Sequence, residues 1–129
     1  MSEEKSRYQS GLEKLKEIDG QAGENVIEAL AGMTEDIGKY ILEFAFGDIY
    51  NRKGLDIKQR ELITLASLLS QGDTGSQLEV HLKASLNVGI TKEEIVETLI
   101  QCIPYVGFPR VLNATFITKK IFLNNETSK

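Results

Sequence analysis

The sequence predicts an all-α fold. Apolar residues recur every three or four positions in seven segments, and this spacing places them on one face of a helix. Capping residues precede several of these segments and glycine or proline follows them, whereas the period-2 alternation of a β-strand is scarce. The segment that most resembles a strand, residues 100–106, follows a capping motif that favours a helix.

Three predicted helices occupy the first fifty residues. The first ends at Asp19-Gly20, and a short second helix follows it. Thr34 is the expected cap of the third helix, because Glu35 and Asp36 suit the positive end of a helix dipole. The predicted inward faces are Tyr8, Leu12, Leu15 and Ile18, then Val26, Ile27 and Leu30, then Ile37, Tyr40, Ile41, Phe44 and Ile49, with Gly47 as a weak point.

The fourth and fifth predicted helices flank a glycine-rich turn. Asp56 and Gln59 have the spacing of a capping box at the start of the fourth helix. Residues 71–75 form the turn, and Gly89 suits the left-handed position past the end of the fifth helix. The predicted inward faces are Leu62, Ile63, Leu65, Ala66 and Leu69 in the fourth helix, and Leu78, Leu82 and Leu86 in the fifth.

Thr91 and Glu94 form a clear capping box, which starts the sixth predicted helix. Pro104 lies near the end of this helix, and Pro109 suits the first turn of the seventh. Residues 124–129 are polar and are expected to fray. The predicted inward faces are Ile95, Leu99, Cys102 and Ile103 in the sixth helix, and Leu112, Phe116 and Ile117 in the seventh.

Length and composition indicate one globular domain, residues 1–129. A chain of 129 residues buries roughly two-thirds of the surface that it exposes when unfolded, which is enough for a core without disulfides. Hydrophobic residues make up 41% and charged residues 26%, and these fractions argue against disorder. Fifteen basic and 19 acidic residues give a net charge of −4 with no basic stripe, so we expect no nucleic-acid partner.

The cellular location is predicted from what the sequence lacks. Cys102 is the only cysteine, so no disulfide can form within the chain, which fits a reducing compartment. The charged residues 1–5 precede no apolar run, so no secretory signal is expected. No stretch approaches the roughly 20 apolar residues of a membrane span. We therefore expect a cytoplasmic protein with no membrane partner.

His81 is the only histidine and the first candidate for chemistry. Unperturbed imidazole is the only side chain that titrates between pH 5 and 8, so a sole histidine among packed helices is a candidate for proton transfer. Gln77, Ala84, Ser85 and Val88 share its helix face. Spacing alone leaves the alternative of a half-buried histidine bonded to a neighbouring carbonyl. No metal site is expected, because one histidine without a cysteine cluster leaves only carboxylates as further ligands.

Three charged residues, one cysteine and one tyrosine are further candidates for a functional site. Glu61 either points inward and orients an imidazole or acts as a partner of the helix dipole. Arg52 lies in a loop, where a guanidinium can grip a carboxylate bidentately, and a solvated surface role is the alternative for both Arg52 and Arg60. Cys102 is expected to be an inert core thiol. Tyr105 either closes a pocket or serves in packing.

Taken in order, segments along most of the chain resemble the carboxymuconolactone decarboxylase family. The resemblance implies an alkylhydroperoxidase D-like bundle of six to seven helices. It also implies a homo-oligomer, commonly a hexamer arranged as a trimer of dimers. The segments that carry the resemblance are residues 6–11, 44–56, 60–64, 77–81, 84–89, 91–94, 101 and 105–109.

Within that superfamily the chain is similar to the decarboxylase branch. The alkylhydroperoxidase D-like branch uses a Cys-x-x-Cys pair shortly before a histidine that matches His81, and Thr74 and Gln77 stand at those two cysteine positions. Thiolates are the nucleophiles of that chemistry, so peroxide reduction by the family mechanism lacks its reagent. The chain also departs from the decarboxylase branch, because Phe46 and Tyr50 stand where tryptophans are usual, and this leaves the substrate open.

The resemblance implies a cofactor-free lyase for a small carboxylated lactone, of the kind met in the breakdown of aromatic compounds. Loss of carbon dioxide from 4-carboxymuconolactone pushes electrons to the lactone carbonyl, so no cofactor is needed as an electron sink. Two alternatives stay open: a thiol-dependent antioxidant that uses Cys102, and a non-catalytic oligomer that binds a small acid. The implied roles are proton donation for His81, catalysis for Glu61, and substrate binding or water exclusion for Arg52, Arg60, Gln77, Phe46, Tyr50 and Tyr105.

Overall fold

A computed structural model of the chain describes residues 5–127. This part of the chain is helical and contains no strand, which confirms the predicted all-α class. A π-helix continues directly from the third α-helix. The elements in order are α1 (Arg7–Asp19), α2 (Gln21–Ala29), α3 (Glu35–Tyr40), the π-helix (Ile41–Ile49), α4 (Ile57–Gln71), α5 (Gly75–Asn87), α6 (Lys92–Val106) and α7 (Phe108–Thr127).

Helix ends follow the capping residues of the sequence. The Ser6 hydroxyl accepts a hydrogen bond from the backbone N–H of Gln9 at the start of α1. Thr91 and Glu94 form the predicted capping box of α6, in which each side chain accepts from the other residue's backbone N–H. Gly89 and Gly107 have positive φ angles of 98° and 96°, a conformation that other residues rarely adopt, so they separate α5, α6 and α7.

Contacts divide the chain into two compact units, the first ending at Ile57 and the second beginning at Lys58. In the first unit α1 packs against the π-helix, and Gly11 is buried at their crossing. A bidentate ion pair joins the same two elements, since the Arg7 guanidinium donates to both carboxylate oxygens of Asp48 at 3.1 and 2.6 Å. The expectation of a single domain over residues 1–129 stays a prediction.

The second unit has one hydrophobic core to which all four of its helices contribute. Partly buried residues pack around this core, and Cys102 is among them. The ammonium group of Lys92 lies 5.4 Å from the centre of the Phe122 ring and adds a contact between α6 and α7. The core residues are Leu65, Leu69, Leu78, Leu82, Ile90, Ile95, Leu99, Val111, Ala114 and Ile121.

The predicted inward face of the third helix is wrong. Ile37, Tyr40, Phe44 and Ile49 are exposed, and the buried residues are Gly38, Leu42 and Phe46. Within residues 41–49 the π-helix accounts for the difference: its i→i+5 hydrogen bonds widen the turn, so a face predicted from ordinary α-helical spacing is displaced from Phe44 and Ile49. The Thr34 side chain does not cap α3 either, because its hydroxyl donates back to the carbonyl of Leu30.

Other inward assignments also fail. Tyr8 in α1, Val26 in α2 and Ile63 in α4 are exposed. In α7 the predicted inward residues Leu112 and Phe116 are exposed, whereas Ile117, which is also predicted to face inward, packs against the core. The fully buried stripe of α7 consists of Val111, Ala114, Thr118 and Ile121.

Two further expectations concern the ends and the length of the helices. The α7 helix continues through Thr127, and the last two residues of the segment expected to fray lie outside the described residues. In the described part of the chain, every helix is too short or too polar to cross a membrane.

Candidate active site

Glu61 and His81 meet between two consecutive helices. The Oε2 atom of Glu61 in α4 lies 3.0 Å from Nδ1 of His81 in α5, and its Oε1 atom lies 3.4 Å from the same nitrogen. The Glu61 side chain is fully buried, whereas 19% of the His81 side chain remains accessible. The pair therefore joins an enclosed carboxyl group to an imidazole that is partly exposed.

The helix spacing explains why Glu61 points inward. It lies four and eight residues before Leu65 and Leu69, which are both buried in the core, so the three side chains share one face of α4. A buried carboxyl group needs a polar partner, and His81 supplies one. The inward orientation that the sequence allowed for Glu61 is the one that the structure has.

His81 occupies the edge of the buried face of α5. Its neighbour Leu82 is buried, and Ser85, one turn later, is also fully buried. The Ser85 hydroxyl donates to the backbone carbonyl of His81 at 2.7 Å, so this buried polar group is satisfied within the helix. The backbone that carries the imidazole is thus held in the interior while the ring lies at the boundary with solvent.

The geometry determines which imidazole nitrogen faces the carboxyl group. Both carboxyl oxygens of Glu61 lie within 3.4 Å of Nδ1, and an ionised carboxylate in this place would accept a hydrogen bond from Nδ1–H. Such a contact holds an imidazole in one orientation and one tautomer. A histidine oriented in this way can serve as a general acid or base.

Three other predicted site residues belong to the second unit. Arg60 precedes Glu61 in α4 and is half-buried. Gln77 is exposed and lies one helical turn before His81 on α5. Tyr105, in the last turn of α6, is 83% exposed. Among the predicted residues of the second unit, Glu61 and His81 contact each other directly.

The remaining three predicted site residues lie in the first unit. The rings of Phe46 and Tyr50 stack with their centres 5.0 Å apart and their planes inclined by 15°. The Asn51 side-chain amide donates to the carbonyls of Phe46 and Gly47 at 3.2 and 3.1 Å, which supports the end of the π-helix. Arg52 follows in an exposed loop. A common role of these residues with His81 stays a prediction.

Asn51 and the π-helix are features that the sequence interpretation missed. A polar residue just past an apolar helix is a recognisable cap signal, and Asn is a common choice at such ends. The π-helical turn has no comparable signal, because its residues, 41–49, are as apolar as those of an ordinary buried helix.

The expectation of no metal stays a prediction. Within residues 5–127, no three His, Cys, Asp or Glu side chains are grouped to hold a metal ion.

The positions relevant to thiol chemistry carry little nucleophilic character. Thr74 stands where the resemblance places a first cysteine, and its hydroxyl donates to the carbonyl of Leu68. Cys102 is half-buried in α6 beside Leu62 and Ala66. Burial raises the pKa of the Cys102 thiol, so less of it is thiolate at a given pH.

Comparisons with known proteins show which family the chain is similar to. A sequence model of the carboxymuconolactone decarboxylase family matches residues 35–120. The 4-carboxymuconolactone decarboxylase of Acinetobacter baylyi is 34% identical over 120 residues, which are 92% of this chain and 89% of the relative. The nitrosuccinic acid decarboxylase of Metarhizium robertsii is 31% identical over 114 residues, which are 88% of this chain and 79% of the relative. An uncharacterised 15.0 kDa protein of Paracoccus denitrificans is 30% identical over 119 residues, which are 92% of this chain and 89% of the relative.

Proposed function

This chain belongs to the carboxymuconolactone decarboxylase family, and from that premise we propose that it is a cofactor-free decarboxylase with His81 as the proton donor. The proposed substrate is a small acid whose carboxylate leaves from the γ-carbon of an unsaturated lactone. One observation carries the proposal: the only histidine of the chain is oriented by a fully buried carboxyl group, 3.0 Å away, and remains accessible.

The proposed reaction balances without an external electron acceptor. The carbon–carbon bond to the departing carboxylate breaks, carbon dioxide leaves, and the electron pair moves through the ring double bond onto the lactone carbonyl oxygen. His81 then delivers a proton from Nε2 to the ring carbon next to the carbonyl. Solvent returns a proton to the imidazole. General acid catalysis of this kind contributes about 10²–10⁴ in rate.

Glu61 acts on the reaction through His81. Its buried carboxylate holds the imidazole in one orientation and stabilises the positive charge of the protonated ring. Because it contacts Nδ1, it does not compete with the substrate for Nε2. Glu61 is therefore a positioning residue in this proposal.

The proposed substrate contacts are those that a dianionic lactone requires. Arg52 and Arg60 bind the carboxylates, and Gln77 supplies a further polar contact one turn before His81. Phe46, Tyr50 and Tyr105 exclude water, which strengthens the electrostatic interactions with the developing dienolate.

The names of two relatives suggest how wide the substrate search has to be. One name states 4-carboxymuconolactone and the other nitrosuccinic acid. A lactone carbonyl and a nitro group can both accept the electron pair that remains after carbon dioxide leaves. We propose that this chain requires such an electron-accepting group, either attached to the carbon that loses its carboxylate or conjugated with that carbon through a double bond.

The decisive experiment is a spectrophotometric screen of the purified protein against 4-carboxymuconolactone, related lactones and nitrosuccinic acid. A saturated lactone acid without the conjugated double bond serves as the control substrate and should not react. With a substrate identified, His81→Ala should lose about two to four orders of magnitude in turnover per folded molecule. Its thermal midpoint should fall as well, because the buried Glu61 carboxyl group loses its polar partner, so turnover is normalised to the folded fraction. Full turnover in His81→Ala would remove His81 from the mechanism, and Tyr105 would be the next candidate.

Two other functions have less support. Peroxide reduction by the related thiol mechanism lacks its cysteine pair, since Thr74 and Gln77 occupy those positions, and the raised pKa of Cys102 disfavours its thiolate. A non-catalytic acid-binding oligomer does not require a buried carboxyl group to orient the histidine. Binding without turnover in the screen would favour this last function.

We also propose a homo-oligomer, a hexamer arranged as a trimer of dimers. Many large apolar side chains remain exposed on the single chain, which supports association. Light scattering should give a mass several times 14.4 kDa. A monomer at micromolar concentration would contradict this proposal.

A further inference from the structure

The last helix has large apolar side chains on the face opposite its buried one. Its buried stripe consists of Val111, Ala114, Thr118 and Ile121, so only two of the four residues are sizeable and apolar. We use the name outer stripe for four residues on the other face: Phe108, Leu112, Phe116 and Leu123, with exposed fractions of 62, 46, 64 and 59%. Leu112, Phe116 and Leu123 follow Phe108 by four, eight and fifteen positions, and this spacing places all four on one face of the helix.

A helix that is apolar on both faces requires burial on both. At about 200 Å² for each large side chain, the outer stripe exposes on the order of 450 Å² of apolar surface, near the upper end for a typical monomer. Two such stripes together provide roughly three-quarters of the 1,200 Å² at which specific interfaces begin. Pro109 and the stem of Lys120, which border the stripe, can supply the remainder.

We propose that the outer stripe packs against the same stripe of a second copy of this chain, with the two α7 helices antiparallel across a two-fold axis. The spacing of the residues determines the register. If Leu112 of one copy lies opposite Leu123 of the other, Phe116 lies opposite Lys119, because both pairs are centred on the same point of the helix. Each contact then occurs twice, as two-fold symmetry requires.

The charge on this face fits a second copy. Lys119 lies on the outer stripe between Phe108 and Leu112 on the helical wheel, where an ammonium group would oppose burial against a purely apolar partner. In the antiparallel register each Lys119 meets an aromatic ring, Phe116 of the other copy. An ammonium group within about 6 Å of such a ring is attracted to its face, and the lysine stem covers apolar surface. The stripe is therefore complementary to itself.

Disulfide cross-linking tests the register directly. In a Cys102→Ser background, the double variant Leu112→Cys with Leu123→Cys should form a covalent dimer under mild oxidation, through two symmetric disulfides. Within one helix these positions are about 16 Å apart along the axis, well beyond the 4.4–6.8 Å that a disulfide spans between Cα atoms. Each single-cysteine variant is the control and should cross-link at least tenfold less.

A charge substitution tests whether the same contact exists in solution. Phe116→Asp should at least halve the mass measured by light scattering, whereas Asn113→Asp, an equal change of charge on the exposed polar side of the same helix, should leave it unchanged. Circular dichroism shows whether each variant is folded. If Phe116→Asp does not fold, the cross-linking experiment alone decides whether the contact exists. A monomeric wild-type protein, or a double variant that cross-links no better than the single ones, would overturn the proposal. Either outcome is expected if the N-terminal unit or another protein covers the stripe instead of a second copy.

Discussion

Gly11 and Leu42 make a direct backbone contact: a methyl group on the Cα of Gly11 would lie 1.7 Å from the carbonyl oxygen of Leu42. At the same crossing, a methyl group on Gly47 would lie 2.8 Å from the carbonyl oxygen of Arg7. Backbone atoms cannot rotate away as a side chain can. The approach of α1 to the π-helix therefore depends on the absence of a side chain at Gly11.

Gly11→Ala should destabilise the N-terminal unit. Alanine is favoured over glycine within a helix by up to about 1 kcal/mol, so a net loss would show that the contact outweighs the intrinsic preference. We expect a loss of about 1–3 kcal/mol, the usual cost of overpacking. Denaturant unfolding measures it, and Gly54→Ala, where the new methyl group meets no atom within 4 Å, is the control. Equal midpoints for the two variants would contradict this prediction.

A double-mutant cycle should reveal strong coupling between Glu61 and His81. The variants are Glu61→Gln, His81→Gln and the two combined, because glutamine retains polarity in each place. We expect a coupling free energy of about 1–3 kcal/mol, since the contact is 3.0 Å long and one partner is fully buried. The more exposed pair Glu79 and Lys83 is 3.8 Å apart and should couple by only about 0.3–0.5 kcal/mol. Similar values for both cycles would count against a special role of the buried carboxyl group.

Cys102 should react slowly with alkylating reagents. Burial raises the pKa of its thiol, so the thiolate fraction at pH 8 is lower than that of an ordinary cysteine. The rate of iodoacetamide labelling should be several-fold lower in the folded protein than in the unfolded one. In the folded protein the rate should still rise with pH where an ordinary cysteine thiol is already fully ionised. Cys102→Ser should keep full decarboxylase turnover. Peroxide reduction that disappears in this variant would instead support the antioxidant function.

The capping box of α6 should contribute to stability in a pH-dependent way. Thr91→Ala should cost about 1 kcal/mol in denaturant unfolding, the usual value of an N-cap. The backbone N–H of Thr91 donates to the Glu94 carboxylate at 2.8 Å and holds the pKa of that group below its ordinary value of 4.5. Because the folded pKa is the lower one, this contribution is present above pH 4.5 and is lost as the pH falls through the folded value.

Glu94→Gln isolates the acid-sensitive part of the capping box. The amide can still accept the hydrogen bond, but it does not titrate, so the variant should lose less stability than the wild type between neutral and acidic pH. Glu93→Gln, a change of the same kind one residue earlier and also exposed, is the control. Equal acid sensitivity of the wild type and Glu94→Gln would show that the capping carboxylate has no such effect.

The sequence predicts the helices better than their faces. The capping box of Thr91 and Glu94 is a local signal, and the structure forms it as expected. The spacing of apolar residues predicts Leu112 and Phe116 on the inner face of α7. The structure instead buries Val111, Ala114, Thr118 and Ile121, because close packing in the core is a property of the assembled helices and periodicity does not encode it.

The candidate site is partly predictable for the same reason. His81 stands out as the only histidine, and the helical spacing permits Glu61 to point inward, so both residues can be selected from the sequence. Their contact at 3.0 Å depends on how α4 and α5 pack, which spacing within one helix does not determine. The contributions expected from Arg52, Phe46 and Tyr50 depend on long-range packing still more, and they stay predictions.

The close sequence spacing of Glu61 and His81 has a consequence for the order of folding. The two residues are 20 positions apart and lie on consecutive helices, so a short loop closes when they meet. Loop-closure entropy grows with loop length, and contacts between nearby segments tend to form before distant ones. The pair can therefore form early in folding, and the enclosed carboxyl group acquires its partner before the rest of the chain has to be in place.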